Sequence, residues 1–68
     1  MVYSKTMSEV RVLLADDHAI VRAGIRAALG EFPNLEIVSE VGDGPALFEA
    51  LSQTRPDCLL LDVTMPDI

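Results

Sequence analysis

The 68-residue sequence is poor in three things: cysteine, aromatic residues and positive charge. Cys58 is the single cysteine, so no disulfide can close within the chain, and a lone thiol in an apolar run suits a reducing interior, which places the protein in the cytoplasm. Tryptophan is absent and the aromatics are Tyr3, Phe32 and Phe48, so any core is built from aliphatic side chains. Five basic residues face eleven acidic ones, and the net charge of −6 repels nucleic acid and anionic membrane surfaces. This chain should not bind DNA by itself. No run approaches the roughly 18 apolar residues of a membrane span, and residues 1–9 lack the apolar stretch of a signal peptide. The length excludes a multidomain enzyme, since domains cluster around 100–150 residues.

What is present is a globular balance, 50% apolar and 24% charged. Residues 1–9 are expected to be a flexible N-terminal segment. Val10 to Ala15 is a β-branched and leucine-rich run stopped by Asp16-Asp17, and reads as a first strand. From Ala19 the apolar residues Ile20, Val21, Ile25, Ala28 and Leu29 recur three and four apart, predicting a first helix that stops at Gly30. Leu35 to Val41 alternates with Glu36 and Glu40, predicting a second strand at an edge. Pro45 suits a helix start, and Ala46, Leu47, Ala50 and Leu51 give the second helix one apolar face. Cys58-Leu59-Leu60-Leu61, closed by Asp62, predicts a third strand that is central and buried on both faces.

Strand, helix, strand, helix, strand with short connections predicts a doubly wound parallel α/β sheet. Right-handed crossovers with helices on opposite faces give strand order 2-1-3. Ligands of such sheets bind beyond the carboxyl ends, where strand order reverses. That point lies between strands 1 and 3, which end in Asp16-Asp17 and Asp62. Two carboxylates about 5 Å apart repel by roughly 3 kcal/mol at an effective dielectric of 20, so such a trio calls for a cation. A hard, oxygen-seeking ion such as Mg²⁺ fits best. The competing reading, in which the acids solvate loops or Asp17 caps the first helix, holds for one acid more readily than for three that converge.

Leu13-Leu14-Ala15-Asp16-Asp17-His18 with Val21-Arg22-Ala23-Gly24-Ile25, followed by Leu59-Leu60-Leu61-Asp62-Val63-Thr64-Met65-Pro66, resembles the receiver domain of two-component response regulators. The acidic pair followed by His18, with the Val-Arg-x-Gly run, resembles the NarL/FixJ subgroup. The resemblance implies a truncated CheY-like (flavodoxin-like) fold over residues 10–68, the N-terminal half of a receiver domain with strands 4 and 5 absent. It implies that Asp62 is phosphorylated by a sensor histidine kinase. It further implies that Asp17 and Asp62 ligate Mg²⁺ directly, that Asp16 reaches it through water and that the Thr64 main-chain carbonyl supplies another ligand. The Thr64 side chain would tune hydrolysis of the acyl phosphate. In this reading the chain is a phosphoacceptor and not an enzyme. DNA is reached only through a C-terminal helix-turn-helix domain, and the residues that read out phosphorylation, on strands 4 and 5, are missing.

Other signals read as structural. His18 is taken as a first-turn residue, Cys58, Phe32 and Phe48 as packing, Arg22 and Arg26 as a solvated helix face, and Gly42-Asp43-Gly44 as a turn. The alternative function is an interaction module that never receives phosphate. A metal phosphohydrolase is disfavoured because Asp16-Asp17-His18 is not an Asp-x-Asp signature. A half-sheet with uncovered leucines is expected to self-associate.

Overall fold

A computed structural model of the chain describes residues 9–63 and Met65. The elements are β1 (Val10–Ala15), α1 (Ala19–Leu29), β2 (Leu35–Val41), α2 (Gly44–Thr54) and β3 (Cys58–Leu61). All strands are parallel, in the order β2-β1-β3. The doubly wound 2-1-3 arrangement read from the sequence is therefore the one observed. The expectations for residues 1–8 and for Thr64 lie outside the described residues.

β1 is the centre of the sheet because it alone has strand neighbours on both sides. Alternation along a strand sends successive side chains to opposite faces. Leu13 and Ala15 pack with Leu47, Ala50 and Met65 on the α2 side, while Leu14 faces Val21 and Ile25 of α1. The two helices thus cover opposite faces, and Val12 to Ala15 are all buried. The start of α2 is set by Asp43, whose Oδ1 accepts the Ala46 N–H at 2.8 Å, so Gly42-Asp43-Gly44 is a turn that ends in a helix cap. At its other end Arg55 takes the left-handed conformation, φ 49°, and closes the helix with its N–H on the Leu51 carbonyl.

Three expectations are corrected. β3 is not central: β1 is its only strand neighbour among the described residues, and Leu59, Leu60 and Leu61 are each 37–38% exposed. Burial of an apolar run depends on what flanks it, and here only one side is flanked. For the same reason Cys58 is exposed and is not a core residue. Phe32 and Phe48 are also mostly exposed, and α1 has no fully buried residue, with Ile20 open to solvent. Residues 1–68 expressed by themselves are accordingly expected to self-associate, since an unpaired strand edge and contiguous exposed leucines favour pairing between copies. Light scattering that gave a monomer mass at micromolar concentration would contradict this.

Candidate functional site

The register of β1 against β3 sets the site. Ala15 pairs with Leu61, so β1 and β3 end level, and the Asp62 N–H donates to the Ala15 carbonyl at 2.9 Å. The residues that follow each strand, Asp16-Asp17 and Asp62, therefore emerge side by side. Met65 sits buried at the core, and its N–H donates to the Asp62 carbonyl at 3.1 Å, turning the chain immediately after the strand.

Asp16 is the most enclosed of the three acids, 7% exposed. Its N–H donates to the Val41 carbonyl at 3.0 Å, and its own carbonyl accepts Arg22 Nη1 at 2.5 Å. Its Oδ1 accepts the His18 N–H at 2.8 Å and lies 3.0 Å from His18 Nδ1. That ring nitrogen is also 2.9 Å from Asp17 Oδ1 and 3.7 Å from Asp62 Oδ2. Asp16, Asp17, His18 and Asp62 each offer one ligand atom, all within 4.8 Å of one another. The three predicted acids are thus brought together. The Thr64 carbonyl, predicted as a further ligand, lies outside the described residues.

Arg22 is a correction to the sequence reading, while His18 stands at the helix start as read, with a ring orientation that the sequence did not give. His18 precedes α1 but makes no side-chain cap, because its ring turns over the acids. The hydrogen bond to Asp16 and then the charge of Asp17 raise its pKa above the ordinary histidine value, with desolvation opposing and the charges of Asp16 and Asp62 adding to the rise. Arg22 does not lie on a free solvated face: its guanidinium reaches back over the first turn to the Asp16 carbonyl, with its side chain 25% exposed. Arg26 does fit the solvated reading in part, being half exposed, but it holds both Glu40 oxygens at 2.6 Å. The adjacency of His18 to two acids was a visible signal for its placement. Nothing in the local pattern distinguished Arg22 from an ordinary surface cation.

A donor set made mainly of carboxylate oxygens, with one acid buried, suits a hard divalent cation. The charge balance points the same way, since among the described residues the one basic side chain within 4 Å of the three carboxylates is His18, which is cationic only when protonated. At 4.8 Å and an effective dielectric of 20, a pair of carboxylates repels by about 3 kcal/mol. A groove runs from Asp16, His18 and Asp62 along Leu14, Val21, Ile25 and Leu60, so the acids stand at the end of an otherwise apolar trough.

Comparison with known proteins agrees with this geometry. Residues 12–68 match the family described as the response regulator receiver domain. The oxygen regulatory protein NreC of Staphylococcus epidermidis is 37% identical over 57 residues, which cover 84% of this chain and 26% of NreC. The transcriptional regulatory protein YxjL of Bacillus subtilis is 40% identical over 58 residues, 85% of this chain and 27% of YxjL. Among solved structures, the signal receiver domain of the response regulator NarL from Mycobacterium tuberculosis superposes with TM-score 0.84 at 38% identity, covering 90% of this chain and 49% of that one. The isolated REC domain of RcsB from Salmonella enterica serovar Typhimurium, solved with the phosphomimetic BeF₃⁻, gives TM-score 0.83 at 36% identity over 85% of this chain and 42% of that one. The chain spans about a quarter of the length of the curated relatives it matches.

Proposed function

The chain belongs to the response regulator receiver family, and from that premise we propose that it accepts a phosphoryl group on Asp62 from a phosphohistidine of a sensor histidine kinase. The observation that carries the reading is the convergence of Asp16, Asp17 and Asp62 at the level ends of two neighbouring parallel strands. A carboxylate oxygen of Asp62 attacks phosphorus as the bond from phosphorus to the donor nitrogen breaks, leaving an acyl phosphate on the protein and an imidazole on the donor. Asp17 and Asp62 would hold Mg²⁺ directly, Asp16 through water, and the Thr64 carbonyl would complete the protein's share. Bound there, Mg²⁺ supplies neutralisation of the charge on the phosphoryl oxygens. The chain's own part is orientation: β1 and β3 fix where the acids emerge, and Met65 anchors the turn behind Asp62. Thr64, two residues beyond the acceptor, is proposed to tune hydrolysis of the adduct.

The chain is proposed to act as a phosphoacceptor and not as an enzyme on a separate substrate. It is further proposed to work in the cytoplasm, and to reach DNA only through an output domain such as regulators of this kind carry. A structural neighbour, RcsB, has been solved bound to DNA. The test is to incubate the full-length protein with a small-molecule phosphodonor and Mg²⁺. A phosphate adduct that hydroxylamine removes, mapped by mass spectrometry to Asp62 and lost on chelation, is the expected result. An adduct elsewhere, or one indifferent to chelation, would refute the assignment.

A further inference from the structure

The acids can share an ion only if the connection between β1 and α1 is held still, and backbone hydrogen bonding accounts for half of that restraint. The Asp16 N–H is fixed on the Val41 carbonyl at 3.0 Å, which ties the start of the connection to the end of β2. The Asp16 carbonyl is fixed by a side chain, Arg22 Nη1 at 2.5 Å. Arg22 is itself restrained from the far side. Its Nε lies 3.7 Å from Glu40 Oε1, and Glu40 is gripped by Arg26, whose Nη1 is 2.6 Å from both carboxylate oxygens. Beneath the guanidinium lies Gly42, where an added Cβ would stand 3.3 Å from Arg22 Nη1 and 3.9 Å from the Asp16 carbonyl oxygen. The slot is therefore just wide enough for the arginine. Gly42 does not have positive φ, so its smallness serves the fit to Arg22 and not a special backbone conformation.

Resting on the metal reading above, we propose that Arg22 is a positioning residue of that centre. From its seat between Glu40 and Gly42 it clamps the Asp16 carbonyl, and so holds Asp16 and Asp17 facing Asp62. It touches neither ion nor phosphoryl group. Partners that orient metal ligands without binding the metal typically contribute 10–100-fold in affinity.

The experiment measures Mn²⁺ binding to the full-length protein by the electron paramagnetic resonance signal of the free ion. Arg22→Met, which keeps the apolar stem and removes the donors, is expected to weaken binding about tenfold, with Arg22→Lys recovering part of the loss. The matched control is Arg11→Met. Arg11 also donates from its side chain to main-chain carbonyls, those of Thr54 and Arg55, but at the opposite end of β1 from the acids. It should lower stability without changing Mn²⁺ affinity. Gly42→Ala should shift affinity in the same direction as Arg22→Met by a smaller factor, and decides the matter if the arginine variant does not fold. Wild-type affinity in a folded Arg22→Met protein, or an equal loss in Arg11→Met, would overturn the proposal. Absence of Mn²⁺ binding by the unaltered protein would instead overturn the metal reading itself, and this inference with it.

Discussion

Full-length protein carrying Asp62→Asn is expected to take up no phosphoryl group from a small-molecule donor, the signal falling to that of a blank, while Asp57→Asn labels normally. The amide has nearly the shape of the carboxylate but is neither charged nor nucleophilic toward phosphorus, so the substitution removes the chemistry and spares the packing. The backbone bond from residue 62 to the Ala15 carbonyl does not involve the side chain and survives. Asp57 is the fair comparison because it flanks the same strand at its other end, where its carboxylate accepts the Arg11 N–H at 2.9 Å. If proximity of any strand-end carboxylate to the donor were enough, the two variants would lose label alike. If Asp62→Asn still labelled at an aspartate of the pocket, the acceptor would have been misassigned although the metal centre stood.

The parts of this fold that were legible are those whose cause is local. The β-branched and leucine-rich run of β1, the three-and-four spacing of α1, the proline and cap at the start of α2 and the acidic stops of β1 and β3 all act within a few residues. They sufficed to place Asp16, Asp17 and Asp62 together, because level parallel strands convert a sequence end into a spatial edge. What was not legible depends on partners distant in sequence. Cys58 to Leu61 is apolar enough for a strand covered on both faces, yet among the described residues it meets only β1 and remains more than a third exposed at its leucines. Arg22 and Arg26 share the spacing of a solvated face, but the end of β2 brings Glu40 across to them, and that turns one into a clamp on Asp16. His18 was read as a helix-start residue. It does stand there, but the carboxylates draw its ring away from capping.

The second large effect has a sign that separates a cation site from a solvated acidic loop. In chelator-treated full-length protein, Asp17→Asn should make the β1 amides exchange more slowly than in the unaltered protein, a gain of about 1 kcal/mol. The gross repulsion between two carboxylates at this spacing is about 3 kcal/mol. It is reduced here by the partial exposure of Asp17, whose side chain is 31% accessible, and by the imidazole of His18 lying 2.9 Å away. With a divalent cation present the order should reverse. An ion at a hundred times its dissociation constant stabilises the state that binds it by about 2.7 kcal/mol, and a protein lacking a direct carboxylate ligand forgoes most of that gain. The protection curves of the two proteins therefore cross as metal is added. Exchange of the β1 amides is the suitable readout because that strand is the buried centre of the sheet and opens only with the structure around the acids. A loop in which the acids merely face water gives no crossing, since a surface substitution there changes stability by about 0.5 kcal/mol or less, in the same direction with or without the ion. Parallel curves would thus remove the electrostatic basis for placing a cation among Asp16, Asp17 and Asp62, whatever the labelling experiment returned.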